Sequence, residues 1–276
     1  MKKKKSHTST VILFLIFFLG LSLLLYPSFA DYWNSFTQSQ AINSYIEQVS
    51  SLDDDAYAEI WDAARNYNAS LLGRSNSYLL SDEQRAQYEA LLDVSGLGIM
   101  GYIEIPHINV NLPIYHGTSE GVLQVAIGHL DWTSLPAGGE STHCVMSGHR
   151  GLPSARLFTD LDQLAVGDTF MLHVLDETLT YQVDQIRIVL PEVTEDLLIV
   201  EGKDYCTLVT CTPYGINTHR LLVRGHRVEN AAEEVVIRVT ADAVVIDKLI
   251  VAPFVLAPIL FILLVWMLIS TRKKKD

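Results

Sequence analysis

Cysteine is scarce in this chain: three in 276 residues, at positions 144, 206 and 211, so no scheme of intramolecular disulfides can use them all. At least one thiol is left over, and its neighbours must decide whether it is inert or reactive. Basic residues are equally scarce away from the chain ends. Of 20 Lys+Arg, eight lie in Lys2 to Lys5 and Arg272 to Lys275; without these and Asp276 there remain 12 Lys+Arg against 31 Asp+Glu, a net charge near −19. An acidic surface of that size excludes nucleic acid as a partner and serves solubility. No internal repeat and no low-complexity tract is present, which excludes a solenoid. No Cys-x2-Cys knuckle exists, and His129, His143 and His149 lack the i, i+4 spacing of a helical ligand pair, so no metal site is expected.

What is present begins with two apolar blocks. Residues 11–30 carry no charge and follow a basic tail, residues 1–10, which makes them a signal peptide or an N-terminal membrane anchor. Residues 249–269 are also uncharged, and at about 1.5 Å per helical residue they match a hydrocarbon core about 30 Å thick. The transmembrane helix is placed at 249–270, with a second basic tail at 271–276. Basic clusters outside both blocks put the termini in the cytoplasm and everything between them outside the cell membrane.

Between the anchors the texture changes once. In 31–95 apolar residues recur at helical spacing: Ile42, Tyr45, Ile46, Val49 and Leu52, then Tyr57, Ile60, Trp61 and Ala64. Ser81 with Gln84 is a capping-box signature, predicting a short helix through Leu92. This region reads as an extracellular helical extension. Residues 96–230 are mainly β, a series of short strand-like runs separated by Gly, Pro, Asp and Asn, which predicts a barrel or sandwich. Residues 231–248 read as a stalk leading to the membrane.

The chemistry concentrates in "TLVTCTPYGINTHRLLVRG", residues 207–225. In an extended strand Tyr205, Thr207, Val209 and Cys211 share one face and Cys206, Leu208 and Thr210 the other, so Cys206 and Cys211 are poor disulfide partners. If two antiparallel strands flank the loop, Arg220 begins its strand near the place where Cys211 ends the previous one. Arginine cannot act as a base, so its work there is to hold carbonyls and stabilise an oxyanion. A free thiol is only a few per cent ionised near pH 7, and a nucleophilic cysteine therefore needs a proton-exchanging partner. Among the histidines His149 stands out: it ends "HCVMSGH" and precedes "RGLPS", at a glycine-flanked strand exit where a side chain can project over a groove. Thr210, Thr212, Tyr214 and Asn217 are the substrate-groove candidates, with loop shaping the other reading of Tyr214 and Asn217. Cys144 and Cys206 read as buried hydrophobes.

"CVMSGHRGLPSARLFTDLDQL" together with "TLVTCTPYGINTHRLLVRGHR" resembles the sortases, and among them class C, the pilin-polymerising sortases of Gram-positive bacteria. The likeness covers roughly residues 99–228 and extends to the paired anchors. It implies an eight-stranded sortase β-barrel with an N-terminal helical extension and terminal transmembrane segments. It implies Cys211 as nucleophile, His149 as catalytic histidine and Arg220 as the family's arginine, acting without a cofactor. The implied reaction is transpeptidation: cleavage of an LPxTG-like sorting signal, a thioacyl-enzyme, and transfer to a pilin lysine. Pilin subunits are the implied partners, with lipid II the acceptor for a wall-anchoring sortase. A secreted cysteine peptidase passing the acyl group to water uses the same residue types, and a catalytically silent assembly scaffold is the non-enzymatic alternative.

The sequence departs from class C at one place. Those sortases usually carry an Asp-Pro-aromatic lid before the barrel, and here no proline falls between Pro27 and Pro106. "LLSDEQ" around Asp82 reads as a helix cap and a weak substitute, so an active site that is open, or covered only by mobile helix, is expected.

Overall fold

The computed structural model describes residues 8–72 and 79–230, together with 258, 261, 262 and 265. Contacts divide the chain into two units, residues 1–33 with 235–276, and residues 34–234. The expected stalk and the basic tail at 271–276 lie outside the described residues, as does most of the segment expected to form the second membrane helix.

In the first unit helix α1 (Thr8–Val49) begins as an almost wholly apolar stretch, with Leu15, Ile16, Leu19 and Leu23 all more than 60% exposed. Exposed apolar side chains along a helix of this kind are consistent with a membrane segment. It is long and apolar enough to cross a membrane. Phe17 and Phe18 each stand 6.3 Å, ring centroid to ring centroid, from Phe261.

In the second unit the remainder of α1 is amphipathic. Ile42, Tyr45 and Val49 form its buried stripe, while Ile46, expected to share that stripe, is 45% exposed because it lies off the i, i+3, i+7 line the other three define. Helix α2 (Asp54–Leu71) is capped by Asp53, whose side chain accepts from the Ala56 amide, and it buries Trp61, Ala64, Tyr67, Asn68 and Leu71. Helix α3 (Asp82–Glu89) carries the capping box in full: Ser81 accepts from the Gln84 amide, and the Gln84 side chain accepts from the Ser81 amide. It stops short of the predicted Leu92, which adopts φ 61° and turns its side chain into the core at 1% exposure. Tyr45 and Tyr88 dock the helices on the barrel, Tyr45 by donating to the Met100 carbonyl and accepting from the Leu175 amide, Tyr88 by accepting from the Gly117 amide and bonding to His129.

Eight strands close the barrel in the order β1-β2-β3-β4-β7-β8-β6-β5: β1 (Ile99–Ile105), β2 (Val110–His116), β3 (Ile127–His129), β4 (Thr142–Ser147), β5 (Thr169–Val174), β6 (Glu177–Val189), β7 (Asp204–Thr212) and β8 (His219–Arg227). Antiparallel pairing of β1 with β5 completes the ring. Two pairs are parallel, β2 with β3 and β4 with β7. Alternation sorts the strands' side chains into two cores. Ile103, Ile105, Ile114, Ile127, Phe170, Leu172, Leu208 and Val223 fill the interior. Val145, Val209 and Leu222 face outward and, with Val189 and Leu197, form a second apolar cluster on the outer wall.

The β4–β7 pair positions the site. Because these strands run the same way, both finish at the same rim, with Ser147 beside Val209. Strand β8 runs antiparallel to β7 and therefore starts at that rim.

Candidate active site

Cys211 and Arg220 are direct cross-strand partners in the β7–β8 ladder. Opposed residues of an antiparallel pair share a face, with Cβ atoms about 5 Å apart. Val209 and Leu222 on the same face belong to the outer cluster, so the thiol and the guanidinium stand at the upper edge of an apolar wall. Cys211 is partly exposed, whereas Cys144 and Cys206 are buried and all three are free thiols. Cys144 and Cys206 are themselves neighbours across β4 and β7, and burial pushes the Cys144 thiol up, with its hydrogen bond to Cys206 adding to the effect. They are core residues.

His149 lies two residues beyond the end of β4. Gly148 between them donates to the Val209 carbonyl at 3.1 Å and accepts from the Thr210 hydroxyl at 2.8 Å, continuing the pairing toward Cys211. A side chain could not replace this glycine: an added Cβ would meet the Phe158 ring at 2.7 Å and Ile127 at 3.0 Å. The rim thus brings together the exit of β4, the end of β7 and the start of β8. Among the described residues no hydrogen bond or ion pair involves the His149 ring.

Arg220 donates from one nitrogen to the carbonyls of Asn217, at 3.3 Å, and His219, at 3.1 Å. No carboxylate pairs with it among the described residues. A guanidinium carries five donors, so most of this fork is uncommitted and available to substrate oxygens.

The groove candidates separate. Thr210 faces the interior at 2% exposure and spends its hydroxyl on Gly148, so it braces the segment leading to His149 and does not reach the groove surface. Thr212 is also buried, and its hydroxyl accepts from Arg150 at 3.4 Å. Tyr214 is exposed, with its ring against Gly151. Asn217 adopts φ 61° and donates its amide to the Pro213 carbonyl, which fits loop shaping. Sequence reasoning weighed His143 and His129 as metal ligands and set them aside, without a structural role for either. His143 lies under the segment joining β6 to β7, with Nδ1 donating to the Leu198 carbonyl and Nε2 accepting from Thr207. Burial lowers its pKa to about 4 and that of His129 to about 3, so both are neutral staples. Their partners are distant in sequence, and no local signal marks them.

A closed barrel of this strand order, carrying a thiol opposite an arginine on one rim, defines the class of protein. A family model described as Sortase domain matches residues 103–228. Sortase C1 from Streptococcus agalactiae is 55% identical and superimposes with a TM-score of 0.68, over 70% of this chain and 100% of that one. Sortase C of Clostridium perfringens, solved with the C-terminal cell wall sorting motif, is 43% identical with a TM-score of 0.62, again over 70% of this chain and 100% of its own. Sortase D of Bacillus subtilis is 31% identical over 131 residues, 46% of this chain, and the match spans 63% of that relative's length. The chain belongs to the sortase family, and these solved neighbours are sortases C.

Proposed function

We propose that this chain is a membrane-anchored cysteine transpeptidase that joins pilin subunits. The observation that carries the proposal is the pairing of Cys211 with Arg220 on the rim where β4 delivers His149. Cys211 Sγ attacks the threonine carbonyl of an LPxTG-like signal, and the oxyanion that forms is met by the free donors of Arg220. His149 protonates the departing glycine amine as the C–N bond breaks, leaving a thioacyl-enzyme. A pilin lysine amine then attacks the thioester carbonyl; His149 takes its proton, the C–S bond breaks, and an isopeptide bond results, the departing sulfur regaining from His149 the proton it had lost on attack.

The neighbour solved with the C-terminal cell wall sorting motif supports this substrate class, and the 42 to 55% identity to sortases C supports polymerisation over wall anchoring through lipid II. The apolar start of α1 supports an anchor at 11–30, with 96–230 as the catalytic barrel on the outer side of the membrane. A coupled thiol–imidazole pair gives a bell-shaped rate profile whose two limbs belong to the pair.

The test is incubation of the full-length protein in detergent with purified pilins, followed by mass mapping of linked peptides. A lysine–threonine isopeptide bond is the expected product. Hydrolysed signal as the sole product, unchanged by added amine, identifies a peptidase. Absence of any adduct between Cys211 and a sorting-signal peptide identifies a silent scaffold.

A further inference from the structure

Arg150, directly after His149, is buried to an unusual degree for a rim arginine, with a side chain 10% exposed. Its Nη2 donates to Asp162 and its Nη1 to the Thr212 hydroxyl at 3.4 Å. Its guanidinium carbon stands 5.9 Å from the centroid of the Tyr214 ring. The Nε is buried and has no hydrogen-bond partner among the described residues. Next in the chain, Gly151 adopts φ 76°, and a Cβ there would meet the Tyr214 ring at 3.0 Å, so this ring lies directly on the backbone of the segment that carries His149.

These contacts span one gap. On one side is the loop leaving β4, with His149; on the other are Thr212 and Tyr214, which follow Cys211. Backbone pairing between β4 and β7 ends with Gly148 and Val209, and the Thr210 hydroxyl adds one brace to Gly148. Beyond that point, among the described residues, the Arg150 side chain supplies the hydrogen bond that crosses from the His149 loop to the residues after Cys211, beside the packing of the Tyr214 ring on Gly151. Burying a guanidinium with one carboxylate and an orphan Nε costs desolvation that a smaller apolar residue would avoid, so folding alone gives no reason for it.

We propose that Arg150 is a positioning residue: it ties the His149 loop to Thr212 and Tyr214, fixing imidazole and thiol relative to each other, while Asp162 orients its guanidinium. The proposal rests on the reading that Cys211 and His149 carry the chemistry.

The test uses full-length protein in detergent and a sorting-signal peptide. Single-turnover thioacylation is measured against pH, with active sites counted by titration. Arg150→Gln is expected to slow thioacylation by about 10- to 100-fold, the effect of displacing a reacting group by about 1 Å. Its dependence on peptide concentration should stay within about twofold of wild type, and the pH bell should shift, because the coupling between thiol and imidazole changes. Arg150→Lys should rescue only partly, since an ammonium lacks the planar fork. Thr212→Val, which removes one tether and leaves the arginine, should move rate and bell in the same direction by less, and it carries the test if Arg150→Gln fails to fold. A wild-type rate and bell in Arg150→Gln, or in Thr212→Val where that substitution carries the test, overturns the proposal. So does a loss accounted for wholly by fewer titratable sites. Cys211→Ala separates the two readings: an adduct with the peptide in that variant removes the parent reading, whereas a silent Cys211→Ala beside a wild-type Arg150→Gln removes the clamp alone.

Discussion

At its start β7 presents Asp204, whose carboxylate accepts from the Gly139 amide at 2.8 Å, the Tyr181 hydroxyl at 2.9 Å and Thr142 at 3.4 Å. At its other end the same strand presents Cys211, partly exposed, opposite an arginine that, among the described residues, donates to backbone carbonyls alone. The Asp204 carboxylate is satisfied within the fold; at the Cys211 end donors and a thiol are uncommitted among the described residues. Surface depressions of about 330 and 460 Å³ lie at the Asp204 end, lined in common by Glu140, Asp204 and Arg227, while Cys211 and Arg220 sit on the opposite rim. Neither depression is lined by a cysteine. Uncommitted donors beside the proposed nucleophile favour the Cys211 end, because a group already paired within the fold has less left to give a transition state.

Substitutions at the two ends should separate activity from stability. The largest effect is expected from Cys211→Ala: no thioacyl-enzyme and no pilus polymer, with the melting temperature near wild type, since a partly exposed strand-end thiol fills little core. Polymer from this variant would remove Cys211 as nucleophile. His149→Ala should be nearly as severe. Next is Arg220→Lys, expected to lower single-turnover thioacylation by about 100-fold or more because a point ammonium cannot reproduce the guanidinium fork. Near-normal rates would take Arg220 out of the oxyanion role.

At the other end Asp204→Ala should leave the rate per folded molecule unchanged and cost about 1–3 kcal/mol of stability, by stranding the Tyr181 hydroxyl and the Gly139 amide. Asp204→Asn should cost less, because burial already pushes the carboxyl up and disfavours its charge. Denaturant titration of both variants checks the order.

The stability of the barrel should also depend on pH through its neutral staples. His143 and His129 are held below the ordinary histidine value of 6.5, at about 4 and about 3. As pH falls the unfolded chain takes up these protons first, so the stability they contribute is full above about 6.5 and is lost between there and the folded values. The slope is about 1.4 kcal/mol per pH unit for each group within its window. His143→Gln should flatten the fall in melting temperature between pH 6.5 and 4, and an unchanged slope would show that His143 takes up its proton in the folded state. The smallest effect is expected from Asp82→Ala, which should leave the reaction of Cys211 with small thiol reagents unchanged; a large acceleration would reveal a lid of unfamiliar sequence at α3.

Much of this was legible in the chain before any folding. The alternation in "DYCTLVTCT" sends Cys206 inward and Cys211 outward, the loop between Cys211 and Arg220 is short enough to make their strands a hairpin, and Ser81 with Gln84 marks a helix start. Each is a local signal, read from a few neighbouring residues. Arg150 and the staples His129 and His143 were not legible, because a residue's burial depends on what the rest of the chain lays over it. Thr210 is a groove candidate by its place beside Cys211, yet alternation puts it on the opposite face, where its hydroxyl donates to Gly148, just beyond β4 and distant in sequence.

By itself the sequence determined the apolar helix at the N-terminus, the β texture of the barrel and the residue types of the chemistry, since hydrophobic period and turn residues act over a few positions. Only the tertiary structure decided that His149 and Cys211 share a rim. That depends on parallel pairing of β4 with β7 across the intervening residues 148–203, and parallel strands can be joined only by a long crossover, whose partner no local pattern specifies.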